Sequence, residues 1–253
     1  MWDPDTYLGY EHLRARPFYD LIARVDALSP RRVVDLGCGP GNLTIVLARK
    51  WPSAVLEAID ASPEMIAAAK GRGIDARLAD VAEWTPRQDT DVVVCNAVLQ
   101  WVPEHQQLMR QWVAQLGRGA WIAVQMPGNF AQPSHTLARE LAAESTWRSA
   151  LGDVIPSDGD AVGDPVSYAT ALSAGCAVDV WETTYVQRLL GQDPVLEWIT
   201  GTTLRPIRAA LDDKAWDQFR AELAPRLRRA YPRQPDRVTW FPFRRIFAVA
   251  RVR

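Results

Sequence analysis

Cysteine is scarce: Cys38, Cys95 and Cys176 are the only three in 253 residues, widely spaced and forming no C-x-x-C pair. That argues against a disulfide framework and a thiolate zinc site, and it suits a reducing, cytoplasmic compartment. Histidine is equally sparse, with His12, His105 and His135 scattered along the chain, so no metal site is expected. Neither sign of charge dominates, the formal net charge being −1. No global basic field therefore points to nucleic acid or a membrane surface as a partner. Apolar runs are too short to span a bilayer. The start, Met1-Trp2-Asp3-Pro4-Asp5, has neither the basic region nor the apolar core of a signal peptide. Internal repeats and low-complexity tracts are also missing.

What is present is an ordinary globular balance, 48% hydrophobic and 23% charged, of a length that fits one large α/β domain over residues 1–253. Strand and helix signals alternate through the first half. Strands are expected at Arg32–Leu36, Val55–Ile59, Ile74–Ala79, Asp91–Cys95 and Gly119–Gln125, and helices at Asn42–Trp51, from Pro63 to Lys70 and at Glu104–Leu116. Ser62 followed by Pro63 reads as an N-cap and first helical position. Such alternation predicts a Rossmann-like, doubly wound, mostly parallel sheet. After Pro127 the pattern changes. One helix is expected over Ser134–Ala150, then a Gly/Asp/Pro-rich break over Gly152–Pro165, then two long strands, Ala177–Leu190 and Phe243–Val252, forming an antiparallel pair at one edge. Residues 129–164 read as a helical cap insertion over the ligand crevice.

The richest motif is Val33-Val34-Asp35-Leu36-Gly37-Cys38-Gly39-Pro40-Gly41-Asn42, placed where a strand gives way to a helix. Glycines there permit a tight turn and close approach of a ligand, in the crevice such sheets use. The G-x-G-x-G spacing does not meet the dinucleotide G-x-G-x-x-G pattern. Asp60 ends the second strand, where a carboxylate accepts both hydroxyls of a ribose; alone, that fits NAD as well as S-adenosylmethionine. Asp80 ends the third strand, in reach of an adenine amino group.

Taken together these residues resemble class I S-adenosylmethionine methyltransferases. Asp35-Leu36-Gly37-Cys38-Gly39-Pro40-Gly41 is similar to their first motif, Asp60 to the ribose acid, Ala79-Asp80-Val81 to the adenine-side motif, and Cys95-Asn96-Ala97 to the fourth-strand motif. The resemblance implies a seven-stranded sheet with an antiparallel edge strand and S-adenosyl-L-methionine as cofactor. It also implies cofactor contacts from Asp35, Gly37, Gly39, Gly41, Asp60, Asp80, Val81 and Asn96. Asn96 and Gln100 would line the methyl-transfer crevice. Trp101 reads either as a wall facing the sulfonium, since cations favour indole faces, or as plain packing.

Methyl transfer from a sulfonium mainly requires alignment. An alcohol or amine acceptor benefits from a general base, whereas a carboxylate arrives already anionic. No His/Asp dyad is evident, and 26 arginines stand against three lysines. Arg16, Arg205 and Arg244, with His12, are candidate holders of substrate carboxylates, because guanidinium groups bind carboxylates bidentately. A narrower likeness, to carboxyl methyltransferases of small acids, rests on Trp2-Asp3-Pro4…Tyr7…Arg14-Ala15-Arg16-Pro17, on Asn96 to Pro103, on Gln125 to Asn129, on Thr200 to Pro206 and on Phe241 to Phe247. It implies methyl esterification of one carboxylate of trans-aconitate, a small-molecule polycarboxylate. Other readings stay open: a different small acid or malonyl thioester as acceptor, a non-catalytic S-adenosylmethionine-binding regulator, or an NAD-dependent oxidoreductase. A nucleic-acid methyltransferase is disfavoured by the missing Asn/Asp-Pro-Pro-aromatic run.

Overall fold

The structure is a computed structural model that describes residues 11–152, 154 and 161–253, with side chains from residue 15 onward. The Trp2 to Tyr7 segment and part of the Gly152–Pro165 break lie outside the described residues. Seven strands form one sheet in the order β3-β2-β1-β4-β5-β7-β6. They are β1 (Arg32–Leu36), β2 (Val55–Asp60), β3 (Ala76–Leu78), β4 (Thr90–Asn96), β5 (Trp121–Pro127), β6 (Cys176–Leu189) and β7 (Thr239–Val252). β1 through β5 pair parallel in this order, and β7 runs antiparallel to β5. The two long strands do occupy one edge, with β7 inside and β6 outermost.

Two compact units divide the chain. The first comprises residues through Pro127, Val162–Thr183 and Arg245–Arg253. Its centre is the β-branched run of β4, where Val92, Val93, Val94 and Cys95 are all fully buried, as a strand covered on both faces requires. One face packs Val34, Val93, Val124, Ile246 and Trp112 into a continuous core. Across the other lies helix α1 (Glu11–Ile22), packed on β5 through buried Phe18, Leu21 and Ile22. Helices α2 (Thr44–Lys50), α3 (Pro63–Gly71) and α4 (His105–Gln115) follow β1, β2 and β4. The Ser62 cap forms as expected: its hydroxyl accepts from the Met65 N–H, with Pro63 at the first turn.

The second unit, Gly128–Ala161 with Thr184–Arg244, contains most of the 129–164 segment but draws more of its residues from beyond it. The single helix expected over Ser134–Ala150 is two, α5 (Pro133–Ala142) and α6 (Ser145–Leu151). Glu144 turns extended (ψ 152°), and its carboxylate is held 2.6 Å from Arg226. Arg148 Nε donates to the Ala143 carbonyl, satisfying an acceptor that a broken helix leaves open. Further helices in chain order are α7 (Pro165–Ser173, in the first unit), α8 (Pro194–Thr200), α9 (Arg205–Ala210) and α10 (Asp213–Ala230). Trp147 and Trp198 are ordinary core residues of the second unit, packed edge-on against Phe219 and Phe241.

Among the described residues no helix is long and apolar enough to cross a membrane, and no group of three His, Cys, Asp or Glu could hold a metal ion. All three cysteines are free and buried.

Candidate functional site

The loop after β1 is built from backbone. Gly37, Gly39 and Gly41 have φ of +75°, +56° and +81°, a region that costs any L side chain strain. A Cβ on Gly37 would stand 2.1 Å from Val98 Cγ2, so the loop following β4 lies directly on the glycine loop. A Cβ on Gly41 would press on Ala69 of α3. Gly39 differs: a Cβ there would meet no atom of the described residues within 4 Å, so this side of the loop is open. The Gly37 and Cys38 N–H groups both donate to the Ile59 carbonyl, and the Gly39 N–H donates to Asp60 Oδ2 at 2.9 Å.

Two carboxylates frame this loop. Asp35 is buried, with Oδ2 accepting from the Thr44 hydroxyl at 2.7 Å. Burial pushes its carboxyl up to about 6, against the opposing pull of the Thr44 hydrogen bond. Asp60 is half-buried and also raised by desolvation, which the N–H groups of Ser62, Gly39 and Ala61 counter. Asp80 stands exposed, and its Oδ1 accepts from the Ala82 N–H to cap the 3-10 turn Val81–Glu83, in which Val81 is buried. A cavity of about 320 Å³ begins at Asp80 and runs past Trp84 and Arg87 to Glu57, on the face of β2 opposite Asp60.

At the end of β4, half-buried Asn96 has its Oδ1 enclosed without a hydrogen-bond partner among the described residues. Ala97 takes φ +60°, rare for a residue with a side chain, and is gripped from both sides. Its N–H donates to the Gln125 carbonyl at 2.8 Å, and its carbonyl accepts from Gln100 Nε2 at 2.7 Å. Gln100 is buried in the 3-10 turn Leu99–Trp101, with Oε1 unpartnered among the described residues. Trp101 is 55% exposed, so it is not a core residue.

The carboxylate-binding candidates fall into separate places. His12 lies on α1 with its side chain outside the described residues, and Arg16 is exposed on the same helix. Arg205 is half-buried at the start of α9, and Arg244 is half-buried with Nη1 donating to the Gly128 carbonyl at 3.3 Å. Both belong to the second unit. Both described histidines are hydrogen-bonded within the fold. Nδ1 of His105 lies 3.1 Å from the Val102 carbonyl and Nε2 lies 2.8 Å from the Tyr168 hydroxyl. His135 is flanked by the Ser134 and Thr203 hydroxyls, each 3.0 Å away, and burial lowers its pKa to about 4.

Three residues here carry signals that the motif reading passed over. Thr44 anchors Asp35 and opens α2. Gln125, 1% exposed, interrupts the apolar run of β5. Arg245 is 7% exposed, more deeply buried than its neighbour Arg244, and its Nη1 donates to Gln125 Oε1 at 3.3 Å.

The glycine cradle fits a nucleoside-bearing cofactor of the kind the motifs imply: one glycine opens away from the described residues, an acid binds the loop, and Asn96 ends β4, the strand paired with β1. A family described as "Methyltransferase domain" matches residues 10–155. Over all 253 residues the chain is 64% identical to a trans-aconitate 2-methyltransferase of Rhodococcus jostii, covering 100% of both chains. The chain belongs to the trans-aconitate 2-methyltransferase family. A relative of the same name from Mycolicibacterium gilvum is 57% identical, again with 100% of both chains covered. Among solved structures, the YcgJ protein of Bacillus subtilis superposes on this methyltransferase with a TM-score of 0.59 at 14% identity, covering 94% of this chain and 98% of that one. Phosphoethanolamine N-methyltransferase 2 of Haemonchus contortus, in complex with S-adenosyl-L-methionine, gives 0.53 at 14% identity, covering 94% of this chain and 53% of its own. These two likenesses establish the fold.

Proposed function

We propose that this methyltransferase uses S-adenosyl-L-methionine to esterify one carboxylate of trans-aconitate, giving the monomethyl ester and S-adenosylhomocysteine. The observation that carries the reading is the full-length likeness to relatives of that name, 64% in one case with no part of either chain left over. The site chemistry agrees with it. When bound, the cofactor supplies an electrophilic methyl group whose departing sulfur keeps the bonding electron pair. Asp60 would accept hydrogen bonds from the ribose hydroxyls, while Asp80 and the Val81 backbone would take the adenine side. Gly37, Gly39 and Gly41 let the backbone approach, with Asp35 and Thr44 holding the loop's root. Asn96 and Gln100 line the crevice, and exposed Trp101 stands at its mouth.

A carboxylate nucleophile needs no proton removed, and this suits a chain in which His105 and His135 are both committed to other partners. Arg16, Arg205 and Arg244, with His12, are the side chains assigned to the acceptor's carboxylates. The three free, buried cysteines suit the cytoplasm.

The test is transfer of labelled methyl from S-adenosylmethionine to trans-aconitate, cis-aconitate, citrate, isocitrate and a malonyl thioester. Base-labile label on trans-aconitate, well above the rest, supports the reading; cofactor binding with no label on any acid overturns it. Arg205→Ala is expected to raise the KM for the acceptor about tenfold or more, the loss of one charge-assisted pair, with cofactor affinity unchanged. Unaltered acceptor kinetics would remove Arg205 from the site.

A further inference from the structure

A polar row crosses the sheet on the face covered by α1. Asn96 of β4 and Gln125 of β5 are direct register partners, and Arg245 of β7 lies diagonally beyond, opposite Pro127. All three share the alternation phase of Ala123, Phe247 and Val249, opposite to the core residues Val124, Ile246 and Ala248. Gln125 Oε1 already accepts from Arg245. Its Nε2 is enclosed and finds no hydrogen-bond partner among the described residues, although the residue is only 1% exposed. A buried amide donor left unmade is costly, so one retained in a native fold calls for a group that completes it. The Gln125 carbonyl also holds the strained Ala97, so the row is tied to the residue from which the Gln100 turn departs.

We infer that Gln125 and Arg245 form an anion-recognition pair that holds a carboxylate of the acceptor other than the one being methylated. This rests on the carboxyl-methyltransferase reading above. The pair presents N–H donors from an amide and a guanidinium, a donor set that selects a carboxylate over a neutral group. It sits on rigid strands, with Gln125 directly across from Asn96, which is where an acceptor must be registered against the methyl group for alignment to supply rate. Because Gln125 touches Arg245 directly, replacing its amide by a carboxylate neutralises the guanidinium with little change of shape.

The test uses the full chain and its Gln125→Glu and Arg245→Gln variants. Binding of trans-aconitate to protein saturated with S-adenosylhomocysteine is measured by calorimetry, beside KM and kcat for methyl transfer. Both variants are expected to weaken trans-aconitate binding and raise its KM about tenfold or more, and to lose preference for the tricarboxylate over a dicarboxylate acceptor, while S-adenosylhomocysteine affinity stays within about twofold. The isosteric Gln125→Glu variant keeps the measurement interpretable if Arg245→Gln fails to fold. Wild-type acceptor affinity in a folded variant overturns the assignment and leaves the esterification reading standing. Loss of S-adenosylhomocysteine affinity overturns it too, placing the pair on the cofactor's own carboxylate. A wild-type protein that methylates no tricarboxylate overturns both together.

Discussion

Gly37 and Gly39 sit two residues apart with similar backbones, yet their surroundings predict opposite outcomes for the same substitution. At Gly37 an added methyl collides with Val98 at 2.1 Å, so Gly37→Ala is expected to displace the loop after β4 and lower stability markedly. At Gly39 the methyl meets only open space. Gly39→Ala should therefore lose about 1–2 kcal/mol from the left-handed backbone alone, and yet reduce S-adenosylhomocysteine affinity about tenfold or more. Thermal melts beside calorimetry separate the two; a Gly39→Ala protein with intact cofactor affinity would show that the open side is not where the ligand lies. Asp35 gives a second residue-level expectation. Its folded pKa of about 6 lies above the usual 3.8, so the carboxyl contributes stability below about pH 4 that is lost as pH rises through about 6. Asp35→Asn removes that loss while keeping an acceptor for Thr44. Its melting temperature relative to wild type should be higher at pH 8 than at pH 4, by an amount worth up to ~3 kcal/mol.

Among the elements, β1, β4 and β5 were legible from sequence because their buried runs read the same in any context. The long helix expected after Ser134 was not, because Glu144 and Arg148 decide the break and Glu144 finds its partner in Arg226, 82 residues away. The same limit explains the choice between Arg244 and Arg245. The pair Arg-Arg shows no phase until the strand's start at Thr239 and its register against β5 are known. Gln125 was visible as a lone polar residue in an apolar run, but only the unpaired amide distinguishes it from a tolerated edge position. In the second unit, the contact of His135 with Thr203 joins α5 to the turn preceding α9. Burial, followed by the charge of Arg139, holds this imidazole neutral with a pKa near 4. A lowered histidine pKa contributes stability above about pH 6.5 that drains away as pH falls toward 4. Wild type should thus lose melting temperature over that window more steeply than His135→Gln. Parallel curves would mean that His135 does not titrate within that transition.

For the whole molecule, a net charge of −1 means that attraction of a polyanionic acceptor comes from local arginines and not from a global field. Raising ionic strength from about 0.05 M to about 0.5 M shortens the screening length from roughly 14 Å to roughly 4 Å. The KM for trans-aconitate should then rise several-fold, with the KM for S-adenosylmethionine changing much less. Equal sensitivity of both would argue that charge does not discriminate acceptor from cofactor. The burial of the cysteines has a practical corollary. Desolvation raises the thiols of Cys38, Cys95 and Cys176 above their ordinary range, so little thiolate exists in the native protein. Alkylating reagents must wait for the chain to open. Cys38 lies inside the glycine loop and Cys95 in the central strand. Their labelling rates, read peptide by peptide, would serve as two internal clocks: one timing local release of the loop, the other timing loss of the sheet itself.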